Sequence, residues 1–202
     1  MPDLSHSPPP EIVKLGGSLV GDPALKTLLG ALARRGAPLL LVAGGGPLAD
    51  AVRALQPRLA LSDAACHRMA ILAMEQTAHA FADLAPTLAL ADTPETVAAA
   101  HARGRAALWL PARMALAAND LPESWDLTSD SLSAWVAEKL GATRLTLVKS
   151  TATVPGSFPA DWAAAGLVDP LFPAFAARLA GPVDMTTAAA VLAASAQKDI
   201  AA

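Results

Sequence analysis

Tyrosine is absent from the 202 residues, and cysteine occurs once, as Cys66. A lone thiol closes no internal disulfide and builds no thiolate metal site by itself, so neither holds this chain together. Positive charge is scarce as well: 15 Lys and Arg stand against 18 Asp and Glu, a formal net charge of −3. That excludes nucleic-acid binding through bulk positive charge, because affinity for a phosphate backbone needs clustered cations. The chain also lacks a long apolar run. Hydrophobic residues reach 53% and the mean hydropathy is +0.40, but alanine supplies much of the excess. No stretch approaches the about 18 apolar residues of a membrane span. Residues 1–10 have neither the charged start nor the apolar core of a signal peptide. These absences lead to an expectation of a soluble, cytoplasmic protein with a sizeable core and no membrane or nucleic-acid partner.

What is present is alternation. Residues 1–10 end in Ser7-Pro8-Pro9-Pro10, where consecutive prolines exclude a sheet interior, and are expected to form a flexible leader. A short strand over 11–15 then runs into Gly16-Gly17-Ser18. A helix is expected over 23–35, with Asp22 as N-cap, Pro23 at the first helical position and Gly36 as the stop. Residues 38–43 are continuously apolar, as in a strand covered on both faces, and end in Gly44-Gly45-Gly46 before a second helix to about residue 56. A long helix over 62–84 carries a polar cap at Ser62-Asp63. Strands over 87–91 and 106–110 flank a helix at about 94–103. A helix over 129–140, a strand over 144–149, a helix near 173–179, a strand near Val183 and a final helix from Thr187 complete the chain. Strands alternating with helices imply βαβ units. The expected architecture is a three-layer αβα sandwich with a mainly parallel open sheet, one domain over residues 11–202.

Ligands of such sheets bind beyond the carboxyl ends of the strands, and three strand ends are chemically loaded. The first reads Lys14-Leu15-Gly16-Gly17-Ser18, the second Gly44-Gly45-Gly46-Pro47 at a helix start, the third Lys149-Ser150-Thr151. Glycines let the backbone approach an anion, and a helix start favours phosphate or carboxylate. Each glycine cluster alone also serves as an ordinary tight turn. Lysine usage adds to the pattern, since two of only five lysines end apolar strands. Two glycine turns and two lysines on one sheet edge point to phosphoryl transfer, which needs positioning and charge neutralisation. No G-x-x-x-x-G-K-[ST] and no G-x-G-x-x-G occurs, which excludes a P-loop enzyme and an ordinary dinucleotide binder.

Val13-Lys14-Leu15-Gly16-Gly17-Ser18, Gly44-Gly45-Gly46-Pro47, Thr128-Ser129-Asp130-Ser131-Leu132 and Val148-Lys149-Ser150-Thr151 stand in this order over 13–151. Together they resemble the amino-acid kinase superfamily, which includes acetylglutamate, aspartate, uridylate and isopentenyl phosphate kinases. The resemblance implies that Lys14 and Lys149 meet the transferring phosphoryl group, that Asp130 holds both lysines, and that Gly16, Gly17, Gly44 and Gly45 donate backbone N–H groups. It also implies a phosphate-binding role for Ser18, Ser150 and Thr151, ATP with Mg2+, a small-molecule substrate and a homo-oligomer. Asp130 reads equally as a cap of the 129–140 helix. Within the superfamily, Leu110-Pro111-Ala112-Arg113 and Ser124-Trp125-Asp126-Leu127-Thr128-Ser129-Asp130 resemble the kinases of methanofuran biosynthesis. Those phosphorylate an aminomethyl-furanmethanol phosphate to its diphosphate.

On the acceptor side, Gly44, Gly45 and Gly46 open the site, and His67 is a candidate donor to an acceptor phosphate or a structural histidine. Trp125 either stacks on an aromatic ring or closes the core, and Asp126 is a candidate partner for a substrate ammonium. Arg53, Arg58 and Arg68 are the available cations, or solvated helix charges. Trp109, Trp135 and Trp162 are expected in the core. No protein ligand for Mg2+ stands out. Where many relatives carry an Asp-Gly-Val-Tyr-like adenine loop, this chain has residues 151–157, and Asp169 is a candidate to replace part of it. Two other readings stay open: a kinase for a carboxylate or isoprenoid phosphate, and a non-catalytic nucleotide- or oxyanion-binding protein.

Overall fold

The computed structural model describes residues 8–151 and 156–200. Six strands form one sheet: β1 (Glu11–Leu15), β2 (Leu39–Ala43), β3 (Ala89–Ala91), β4 (Ala107–Trp109), β5 (Arg144–Lys149) and β6 (Val183–Thr187). Their spatial order is β3-β4-β2-β1-β5-β6, and every neighbouring pair is parallel. Helices α1 (Leu25–Arg35), α2 (Gly46–Leu59), α3 (Asp63–Leu84), α4 (Pro94–His101), α5 (Ala112–Ala115), α6 (Ser129–Lys139), α7 (Pro159–Ala164), α8 (Phe172–Ala176) and α9 (Ala188–Ile200) connect and cover the strands.

The sheet is apolar on both faces because both are covered. In β2 all five residues are buried, with Leu40 and Val42 facing one core and Leu39, Leu41 and Ala43 the other. The first core takes in α4, α6 and α8, the second α1, and α3 reaches both. Helix α6 is buried on every side from Asp130 to Ala137, as expected of a helix packed between a sheet and a second helix, here α8. Trp109, Trp135 and Trp162 all lie in the first core.

Several boundaries differ from the sequence reading for local reasons. Helix α1 begins at Leu25 rather than residue 23, because the Ala24 N–H donates to Asp22 Oδ1 at 2.8 Å and closes a turn ahead of the helix. Helix α2 runs through Pro57 to Leu59. The short helices α5 and α7 arise where no helix was expected. Of the expected leader, residues 1–7 lie outside the described residues, whereas Pro10 is buried and its carbonyl accepts the Thr143 N–H at 2.9 Å. None of the described helices is long and apolar enough to cross a membrane.

The chain order places a switch point between β1 and β5. From β1 the chain moves to β2 on one side, and from β5 it moves to β6 on the other. The loops leaving the two strands therefore diverge and leave a crevice beyond their carboxyl ends.

Candidate active site

Strand parity puts two cations into that crevice. Successive side chains of a strand point to opposite faces. Ile12 faces the α6 core while Val13 and Leu15 face the other, so Lys14 shares the α6 side. In β5, Leu145 and Leu147 face the α6 core and Lys149 follows them by the same alternation. Lys14 lies opposite Leu147 in the β1–β5 register, which places Lys149 one pleat repeat beyond it. From above, the first turn of α6 lowers Asp130 between them. Lys14 Nζ stands 2.7 Å from Asp130 Oδ1, and Lys149 Nζ donates to Oδ2 at 2.6 Å.

Burial makes this triad demanding. Lys14 is 2% exposed and Asp130 4%, while the Lys149 side chain keeps 16%. Burial alone pushes the Asp130 carboxyl up, but the Lys14 and Lys149 ammonium groups overcome it and hold the carboxyl below the ordinary carboxylate range. Lys149 is lowered to about 8, first by burial and then by the Lys14 charge, with Asp130 opposing both. Asp130 is therefore ionised at neutral pH and engaged through both oxygens, which leaves it unsuited to act as a general base.

The two glycine turns touch. A Cβ on Gly17 would lie 2.7 Å from Gly46 Cα and N, and one on Gly44 would lie 2.7 Å from Gly17 N. Gly46 also has φ +52, a left-handed conformation that glycine adopts at little cost. The resemblance assigned donor N–H groups to Gly16 and Gly44, but these are spent in extending the sheet: Gly16 N–H donates to Val148 O and Gly44 N–H to Leu15 O, each at 2.9 Å. Those two glycines thus provide close approach rather than donation. Donors of the helix-start kind belong instead to Gly17 and Ser18 at the start of the 3-10 turn, where the Leu19 N–H already goes to Gly16 O, and to the first turn of α2. Ser18, Ser150 and Thr151 are exposed beside the lysines' strand ends. Residues 152–155 of the expected nucleotide loop lie outside the described residues.

A cavity of about 60 Å³ opens beside Gly45, between α2, α3 and the segment leading into α6. One water needs roughly 10–15 Å³, so the space suits several waters or a small ring. Ile71, Met74, Leu127 and Leu132 make it apolar, and His67, Trp125 and Thr128 also line it. The His67 pKa is lowered by burial, with Glu123 opposing and Arg68 reinforcing the shift, which favours the neutral imidazole. Trp125 is fixed on two sides. Its Nε1–H donates to Gln56 Oε1 at 2.6 Å, and the Arg53 guanidinium lies 4.4 Å from its ring centroid. Asp126 is exposed and does not line the cavity. Arg68 pairs with Glu123 at 3.8 Å in solvent, and Arg58 stays on the exposed end of α2.

Asp169 does not stand in for an adenine loop. Its Oδ2 accepts the Thr128 N–H at 3.0 Å, the Thr128 hydroxyl at 2.8 Å and the Ser131 N–H at 3.0 Å, and its Oδ1 accepts the Ser131 hydroxyl. Sequence reading missed this and also missed Gln56, since neither sits in a motif and each acts across a long stretch of chain. No group of three or more His, Cys, Asp or Glu is placed to hold a metal among the described residues.

Three kinds of comparison relate the chain to known proteins. The model of the amino acid kinase family matches residues 11–160. The chain is 29% identical over 150 residues to [5-(aminomethyl)furan-3-yl]methyl phosphate kinase of Methanocaldococcus jannaschii, covering 73% of this chain and 69% of that one. Among solved structures, uridylate kinase from Archaeoglobus fulgidus superposes with a TM-score of 0.65 at 17% identity, covering 93% of this chain and 95% of that one. UMP kinase from Bacillus anthracis gives 0.65 at 13% identity, over 91% and 89%.

The lowered Lys149 pKa sets a pH dependence. Its cation is present below about 8 and lost above it, so kcat/KM for the phosphoryl donor, which reports the free enzyme, should fall about tenfold per pH unit beyond that point. Lys149→Arg, whose guanidinium stays charged, should flatten the alkaline limb even if it lowers the plateau. An unchanged limb in that variant would assign the titration to another group.

Proposed function

The chain belongs to the amino acid kinase family, and from that premise we propose that it transfers the γ-phosphoryl group of ATP to the phosphate of a small unsaturated-ring acceptor. The acceptor best supported is [5-(aminomethyl)furan-3-yl]methyl phosphate, the substrate in the name of the relative from Methanocaldococcus jannaschii. One observation carries the reading: the Lys14–Asp130–Lys149 triad at the β1–β5 crevice, beside two touching glycine turns and an apolar cavity.

In this reading an acceptor phosphate oxygen attacks the γ-phosphorus, the bond to the β-bridging oxygen breaks, and ADP leaves. A phosphate monoester is largely a dianion at pH 7, so its oxygen attacks without a base. That suits a site whose central carboxylate is tied to two lysines. Lys14 and Lys149 neutralise charge on the moving group, with Gly17 and Ser18 on the donor side and Gly45 and Gly46 towards the acceptor. The furan ring enters the cavity against Trp125, with His67 donating to the acceptor phosphate and Arg53 supplying a cation at the mouth. Mg2+ would accompany ATP and offset charge on its phosphates; among the described residues no cluster of His, Cys, Asp or Glu is placed to hold it, and the carboxylate of the triad is already paired with two lysines. The reading includes self-association, for which Leu48 of α2 and Leu72 of α3, 43% and 44% exposed, leave apolar surface.

A transfer assay with ATP and Mg2+ compares the aminomethyl-furan phosphate with UMP, N-acetylglutamate and isopentenyl phosphate. Diphosphate formed on the furan is expected, and Lys14→Ala should remove it by two orders of magnitude or more. Transfer to another acceptor alone would discard the furan, and no transfer at all would favour a binding protein. Trp125→Ala should raise KM for the furan about tenfold while kcat changes little; an unchanged KM would return Trp125 to a packing role.

A further inference from the structure

Helix α6 begins without a cap of its own. Thr128 occupies the N-cap position with extended backbone, but its side chain accepts no N–H from the helix. A threonine there ordinarily accepts the N–H of the second or third helical residue. Here the hydroxyl points away and donates to Asp169 Oδ2 at 2.8 Å, and the Ser131 N–H, at the third helical position, goes to the same oxygen at 3.0 Å. A residue from the α7–α8 connection, 38 positions beyond Ser131, therefore performs the capping.

Asp169 is itself held in place. It is 7% exposed, its carbonyl accepts the Phe172 N–H at 3.1 Å as α8 begins, and Phe172 is fully buried. The carboxylate takes four hydrogen bonds from two residues, Thr128 and Ser131, which lie on either side of Ser129 and Asp130. Four acceptances at one buried carboxylate bind more firmly than a single N-cap bond, because hydrogen bonds to a charged group are stronger than neutral ones. The arrangement also has an electrostatic consequence. The positive end of the α6 dipole already faces a carboxylate, so α6 itself adds little positive potential to the site.

We propose that Asp169 is a positioning residue for the ion triad: by clamping Thr128 and Ser131 it fixes the first turn of α6 and aims the two oxygens of Asp130 at Lys14 and Lys149. Its role in catalysis rests on the phosphoryl-transfer reading above, whereas its effect on the triad does not. The clamp works through hydrogen bonds, so Asp169→Asn, whose amide oxygen still accepts the two backbone N–H groups but without the charge that strengthens them, retains part of it. Asp169→Ala loses it. With Asp130 released, Lys149 keeps the burial and the Lys14 charge that lower it and loses the partner that raises it, so it titrates lower.

The test titrates the lysines of the full chain by NMR after selective 13C labelling at Cε, using Lys149→Arg to assign the Lys149 signal. Thermal unfolding and steady-state kinetics run alongside. In Asp169→Ala the Lys149 midpoint should fall by at least half a pH unit and kcat by tenfold or more, with KM for ATP within about threefold. Asp169→Asn should lie between wild type and Asp169→Ala in both the Lys149 midpoint and kcat. Should Asp169→Ala fail to fold, Ser131→Ala, which removes one of the four bonds and keeps both backbone acceptances, should lower kcat by a few-fold and shift Lys149 in the same direction. A folded Asp169→Ala, or failing that a Ser131→Ala, with a wild-type Lys149 midpoint and wild-type kcat overturns the proposal. A shifted midpoint in a protein whose wild type phosphorylates no acceptor sustains the clamp and defeats the kinase reading instead.

Discussion

Two ammonium groups cannot share a buried crevice unless a carboxylate stands between them, and the rest of the site depends on that constraint. Like charges about 4 Å apart repel by ~4 kcal/mol even at an effective dielectric of ~20. Asp130 offsets this with one oxygen per lysine. The triad then retains one net positive charge at a point where phosphoryl oxygens can approach. Burial keeps the charge effective and also draws Lys149 down towards neutral pH. The carboxylate that makes the pair tolerable is thus also the group that keeps Lys149 protonated.

The fold meets the constraint by parity and by contact. Each lysine reaches the same face because it follows apolar residues that face the α6 core, and parallel pairing of β1 with β5 brings the two together. The glycine turns can lie against each other only because neither carries a side chain: a methyl on Gly17 would meet the backbone of Gly46 at 2.7 Å. The turns that follow β1 and β2 are thereby held at backbone distance. The apolar cavity then opens where α2, α3 and the approach to α6 part, with Gln56 holding both Trp125 and Asp63 at the start of α3.

Much of this was legible in the sequence, and the limits have physical causes. The apolar run ending at Ala43, the helix cap at Ser62, whose Oγ accepts the Ala65 N–H, and the strand-end lysines are local signals, and they placed β2, α3 and the cations correctly. The parallel sheet followed from the alternation of elements. The donors at Gly16 and Gly44 were misassigned because a motif does not say whether the neighbouring strand has already taken an N–H, as Val148 O and Leu15 O have. Asp169 was misread for the same kind of reason. Its partners, Thr128 and Ser131, lie about 40 residues away in sequence, and Val168-Asp169-Pro170 carries no local sign of them. Asp126 lies beside Trp125 in the chain but outside the cavity wall, since adjacent residues in an extended loop need not face the same side.

The central claim is that Asp130 organises two cations for transfer rather than binding substrate itself. The most direct measurement is single-turnover phosphoryl transfer by Asp130→Asn, with ATP affinity determined separately by calorimetry. The amide keeps the shape and removes the charge, so ATP should bind as tightly as to wild type or more so, while the transfer step slows about 100-fold or more. Transfer at the wild-type rate, or a loss confined to ATP binding, would contradict the account.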